Sequence, residues 1–233
     1  MKRNLTLFVM LSLLTGAYSQ TSSLSAVRRF FELQQLTGQR YMDAGHLNIG
    51  MYLYDDWCPG WVTLDTGDTI GDLVLHYNAY QDNIVWLRNK TDQITLDSKN
   101  IAGFGIMYQG KEHPFKKLKI RTPQDSIETF AEIAFEGNVG MYVIRKNKPE
   151  TQTIKNNIPY YNYAPRPQYV ILMSHKTIIL KNRRPRTLYI ALPEEEDQIR
   201  ERLHVSKLNT RSEPAFFSFI KSISDILLKE NRQ

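Results

Sequence analysis

The 233-residue chain predicts a mainly β protein: an antiparallel sheet or meander, or a partly closed barrel, followed by two short C-terminal helices. Three observations predict it. Short runs rich in Val, Ile, Tyr, Phe and Leu recur from Leu47 to Ile190, cut by turn residues such as Asn89-Lys90-Thr91, Gln109-Gly110 and Glu136-Gly137-Asn138. The connections are too short for parallel βαβ crossovers. After Leu192 the spacing of apolar residues changes from that of strands to that of helices.

In chain order, Lys2 and Arg3 precede an apolar run from Leu5 to Leu14. Ala17 and Ser19 then stand at the −3 and −1 positions of a cut before Gln20. A charged start, a short apolar centre and small residues at its end predict a signal peptide over 1–19. The run is shorter than the ~20 residues a membrane helix needs, and no transmembrane span is expected in the mature chain. Residues 20–46 form an N-terminal helix or loose segment, with Leu24, Val27 and Phe31 at helical spacing. Residues 47–192 carry the antiparallel β domain and 193–233 the helical segment.

Within the β domain the expected strands are NIGMYLYDD, WVTLD, LVLHYNAY, NIVWLRN, DQITLD, IAGFGIMYQ, FKKLKI, IETFAEIAFEG, GMYVIRKN, QYVILMSH, TIILKN and RTLYIAL. Residues 158–170 read as a tyrosine-rich loop stiffened by prolines, and KNRRPR at 181–186 reads as a hairpin tip. In the tail, PEEEDQIRERL begins a helix at Pro193, and Ser212 caps a second through SEPAFFSFIKSISDILLKE. Phe216, Ile220, Ile223 and Leu227 line its apolar side. The polar side has few basic residues, so the helix pair is expected on the sheet and not on a membrane surface.

The chain carries 30 Lys and Arg against 24 Asp and Glu. Losing Lys2 and Arg3 with the signal leaves a mature charge of +4. For an exported chain such a balance points to acidic glycans or headgroups as partners, not nucleic acid. The one cysteine, Cys58, excludes a disulfide framework within the chain and is expected to be buried.

The stretch LVLHYNAYQDNIVWL, residues 73–87, tests site against scaffold. Alternation puts Leu73, Leu75, Tyr77 and Ala79 on one side and Val74, His76, Asn78 and Tyr80 on the other. Gln81-Asp82-Asn83 suits a reversal. The first reading is a β-hairpin; the second makes Asn78, Tyr80 and Trp86 ligand contacts. The pattern L-x-Y-N-x-Y-x-D-x-I-x-W (Leu75, Tyr77, Asn78, Tyr80, Asp82, Ile84, Trp86), preceded by WVTLDTGDTIGD, resembles a family of uncharacterised exported proteins of Bacteroidetes. His76 stands where that family has arginine. The resemblance implies an exported β-rich protein of a periplasm or outer envelope, and no catalytic residues.

Chemistry-bearing patterns are few. Val62-Thr63-Leu64-Asp65-Thr66-Gly67 has the form of an aspartic protease loop, with Asp65 as the carboxylate that would pair with a second copy. The same residues also make an ordinary turn. The five histidines lack metal-ligand spacing, so no metal or other cofactor is expected. Tyr160, Tyr161 and Tyr163 would stack on sugar rings or cover a partner protein, or lie over an edge of the sheet. Asp68-Thr69-Ile70 and Asp125-Ser126-Ile127 match a D-[ST]-aliphatic O-glycosylation pattern. The expectation is a non-catalytic binding or structural module for an envelope protein or glycan, with the Asp65 hydrolase as the alternative.

Overall fold

The computed structural model describes residues 26–41, 47–121, 126–155, 158–174, 176–206 and 210–228. The expected signal peptide, His46, His175 and Asp125 lie outside them.

Residues 26–34 form a helix, α1, and Leu33 within it and Leu36 just beyond it pack on the sheet. The first strands are β1 (Gly38–Arg40), β2 (Leu47–Ile49), β3 (Cys58–Leu64), β4 (Thr69–Asn78), β5 (Asn83–Arg88) and β6 (Asp92–Leu96). A single 3-10 turn precedes β7 (Ile101–Tyr108), β8 (Lys111–Arg121), β9 (Ser126–Phe135) and β10 (Val139–Ile144). Then come β11 (Asn147–Lys155), β12 (Ile158–Pro165), β13 (Gln168–Met173) and β14 (Thr177–Leu180). Four helices end the described chain: α2 (Pro185–Ala191), α3 (Glu196–Ser206), α4 (Glu213–Ser222) and α5 (Ser224–Leu227).

Eleven strands form one antiparallel sheet in the order β1-β6-β5-β4-β3-β7-β8-β9-β10-β13-β14. It does not close, because β1 and β14 remain at its two ends. It curls nevertheless. β3, β7 and β8 lie between β4 and β9, yet Asp82 in the β4–β5 turn accepts from the Phe130 amide of β9 at 3.3 and 3.4 Å. β10 pairs with β9 only from Glu132 onward, so that amide faces no strand on its outer side. The turn carboxylate fills the gap.

Strand alternation sorts the apolar residues onto two faces. One face holds two clusters. The first joins Leu73, Leu75, Tyr77, Ile84, Trp86, Phe104, Phe115 and Phe130 from β4 to β9. The second joins Met141, Val143, Tyr169 and Ile171 to Leu188, Ile199, Phe216, Phe219 and Ile223 of the helices. Glu132 pairs with Phe115 on one side and Val143 on the other, so this carboxylate sits on the line between the clusters. The opposite face of β8, β9, β10 and β13 carries a smaller cluster with Leu118, Ile120, Tyr142 and Val170.

Several elements differ from the sequence expectation. RTLYIAL is not a strand. Pro185 starts α2 there, and the Leu192 amide reaches the Leu188 carbonyl four residues back at 2.9 Å. Leu188 and Leu192 are buried against the sheet while Ile190 between them is 72% exposed, the pattern of a helical turn and not of an alternating strand. The tyrosine-rich segment is not a loop. It is β12, paired antiparallel with β11 and parallel with β2 in a separate three-stranded sheet. β11 reads as polar on both faces and contains Pro149, which sits at a register shift where its missing N–H is tolerated. The expected strand NIGMYLYDD is only β2; beyond it Tyr52 makes one bridge to Asn78 and the chain crosses irregularly to β3. The last expected helix is split at Ile223 into α4 and α5, with Ile223 itself fully buried.

Candidate functional site

The β4–β5 hairpin forms where alternation places it, and its polar residues hold the fold. Asn78 is wholly buried. Its Oδ1 accepts from the Tyr80 and Gln81 amides at 3.1 and 2.9 Å, and its amide donates to Gln81 Oε1. That is a side chain closing its own turn. Asp82 takes a φ of +58°, which an aspartate tolerates, and accepts from the Tyr77 hydroxyl at 2.6 Å. Burial raises its pKa, against the Tyr77, Thr129 and Phe130 hydrogen bonds that lower it. Trp86 is buried in the first cluster. Asn78 and Trp86 are therefore occupied inside the hairpin. His76 stacks on Tyr52 at 3.7 Å, and its Nε2 donates to the Tyr54 carbonyl at 2.7 Å. Burial lowers its pKa.

Asp65 lies on the exposed β3–β4 turn. Gly67, at φ +92°, closes it by donating its backbone N–H to the Leu64 carbonyl at 2.9 Å, and the Thr66 hydroxyl donates to Asp68 at 2.9 Å. Thr69 of the O-glycosylation pattern is exposed, with its hydroxyl 3.1 Å from that of Thr63. Cys58 is buried, and burial pushes its thiol up. Among the described residues no group of three or more His, Cys, Asp or Glu gathers in a metal-holding geometry.

The six expected ligand residues part company. Tyr80 and Tyr163 meet with ring centroids 4.7 Å apart. Tyr161 stands on the same side of β12 as Tyr163, and burial, then Tyr80 and Tyr161, raise the Tyr163 hydroxyl. Tyr160 points to the other side of the strand. So Tyr80, Tyr161 and Tyr163 form a row, from which Tyr160, Asn78 and Trp86 are absent.

That row leads toward a concavity of the described surface. Pro165 follows Tyr163 by two residues on the same side of β12 and lines a cavity of about 540 Å³. Lys148, Arg166, Lys181 and Arg183 also line it. A second cavity of about 660 Å³ adjoins it, sharing Asn182 and Arg183 and adding Arg184, Thr210 and Arg211. The two meet at Asn182 and Arg183 and are described together as a two-lobed groove. Among the described residues its walls carry six cationic side chains and no carboxylate. Each lobe falls in the ~300–1,000 Å³ range of small-molecule sites. The basic run Lys181–Arg186 was visible in sequence. Its position in a groove was not, because RTLYIAL looked like a strand and made the run a hairpin tip.

Arg183 is held from behind. Its Nη1 donates to the Tyr169 hydroxyl at 2.8 Å and lies 3.3 Å from Glu213 Oε1. The Tyr169 hydroxyl donates to the same Glu213 oxygen at 2.7 Å. Burial and Glu213 push that hydroxyl up to about 12, so it stays a donor. Glu213, at the first turn of α4, also takes both Nη atoms of Arg145 at 2.8 Å each. Arg145 Nε continues to Glu132, which accepts from His113 Nδ1 at 2.7 Å. A polar seam thus runs from His113 to Arg183 between the two apolar clusters, with its exposed end in the groove. Burial alone would raise the Glu213 pKa; the Arg145 bonds and charge outweigh it and the net shift is downward. An ionised carboxylate there keeps Arg183 in place.

No protein-family model, curated protein or solved structure matches the chain.

Proposed function

We propose that this is an exported envelope protein of the Bacteroidetes type that works by binding an anionic partner, not by catalysis. The observation that carries the reading is the two-lobed groove, lined among the described residues by six cations and no carboxylate and centred on Arg183. Lys148, Lys181 and Arg184 make no ion pair within the described residues, so their charge is available to a ligand. The export-type N-terminus, the resemblance of residues 75–86 and the basic balance of the mature chain support the same reading.

The test is a glycan array and a pull-down from envelope extract with the chain from Gln20 to Gln233. A variant with Lys148, Lys181 and Arg184 changed to Gln is compared with a control carrying Lys90→Gln, Lys111→Gln and Arg121→Gln. Both variants lose the same charge. Retention by the parent and the control but not by the groove variant is expected. Equal retention by both variants, or a specific turnover by the purified protein, overturns the proposal.

A further inference from the structure

We infer that the groove takes an acidic oligosaccharide, a sugar chain carrying carboxylate or sulfate groups, laid through both lobes past Arg183. The inference rests on the anion-binding reading above and names the class of ligand.

Four features select this class. First, the lining is rich in hydrogen-bond donors and poor in acceptors. Arg and Lys only donate; Asn182, Gln168 and Thr210 supply the side-chain oxygens, the Tyr169 hydroxyl being engaged by Arg183 and Glu213. A peptide brings one backbone N–H per residue that needs an acceptor, whereas ring, glycosidic and acid oxygens of a sugar chain only accept, and its hydroxyls serve either way. Second, the groove is concave and its apolar lining is limited to prolines, Leu203 and the Tyr169 ring. A bilayer calls for a flat or convex face with side chains that insert. Third, Tyr169, the one aromatic side chain among the described lining residues, is buried under Arg183, so the lobes around the cations offer no flat ring to a nucleic-acid base. Fourth, the row of Tyr161, Tyr163 and Tyr80 leads toward the Pro165 end of the groove. Tyrosine presents an apolar face with a polar tip, which suits a sugar ring bearing hydroxyls around its edge.

The two lobes also set a length. Arg184 and Arg211 stand in one, and Lys148, Arg166 and Lys181 in the other, with Arg183 common to both. A chain with acid groups in both lobes gains from each without a second loss of translational freedom. A single acidic sugar reaches one lobe only.

The experiment is isothermal titration of the chain from Gln20 to Gln233 with tetragalacturonate and, separately, a sulfated heparin tetrasaccharide. Galacturonic acid monomer, neutral maltotetraose, a polyglutamate peptide and phosphatidylglycerol vesicles are the comparisons. Expected is binding of at least one acidic tetrasaccharide, weaker by about tenfold or more for the monomer and for the Lys148, Lys181 and Arg184 variant. The control triple variant stays near the parent. Changing Tyr163 to Ala is expected to weaken the tetrasaccharide and leave the monomer unchanged. Groove-dependent binding of polyglutamate or vesicles without binding of either acidic tetrasaccharide overturns the sugar assignment and leaves the anion-binding reading standing. Absence of groove-dependent binding to every anionic probe overturns both.

Discussion

Asp82 and Glu213 are two partly buried carboxylates with opposite shifts, and their pH signatures differ accordingly. Burial raises Asp82 in the fold, so folding holds its proton more tightly. Its contribution is complete below the usual aspartate pKa of about 3.9 and is lost as pH rises through the raised folded value. Asp82→Asn, which keeps a residue suited to φ +58°, is expected to remove that decline, seen as a flatter urea midpoint against pH just above pH ~4. An unchanged profile would mean that Asp82 does not titrate within the fold. Glu213 runs the other way. Arg145 holds it low, so its contribution is present above the usual glutamate value of about 4.3 and is lost as pH falls through the lowered one. Arg145 is the linchpin of the seam. Arg145→Met leaves Glu132 and Glu213 without their shared cation and is expected to cost about 3 kcal/mol in urea unfolding.

At the scale of elements, α4 ties the helical tail to the sheet. Phe216, Phe219 and Ile220 are buried in the second cluster, while Glu213 at its start enters the seam. Phe219→Ala is expected to destabilise the protein by about 3–5 kcal/mol, measured by denaturant unfolding, because the wholly buried ring leaves a cavity. This helix was legible in the sequence: Ser212 accepts from the Ala215 amide as a cap, and the apolar stripe has helical spacing. So was the β4–β5 hairpin, where alternation and Gln81-Asp82-Asn83 gave both the faces and the turn. β11 was not, because a two-sided polar strand on a small sheet carries no periodic signal. α2 was missed because Leu188 and Ile190 suit a strand as well as a helix, and only Pro185 argues for the helix. The groove was half legible. Its arginines and lysines could be read off, but the packing of β12, β14 and the approach to α4 that brings Lys148 and Arg211 to Arg183 could not.

For the whole molecule, one curled sheet supports two apolar clusters divided by a polar seam, and the groove opens where that seam reaches solvent. Salt should therefore separate binding from stability. Ligand retention is expected to fall steeply with added NaCl as exposed groove charges are screened, with a Debye length of about 10 Å at 0.1 M. The unfolding midpoint is expected to move little, since Arg145, Glu132 and Glu213 are mostly shielded from the screening ions. A parallel fall in both on titration would place the seam in solvent contact. The sheet also ends in two very short strands, β1 with three residues and β14 with four. Each offers too few free backbone groups to template another chain, which is how natural sheets avoid polymerising edge to edge. β1 thus acts as a stopper on the longer β6. A chain beginning at Tyr41 would uncover the β6 rim, with Ile94 in its middle, and is expected to form concentration-dependent oligomers on size-exclusion chromatography while the chain from Gln20 stays a single species.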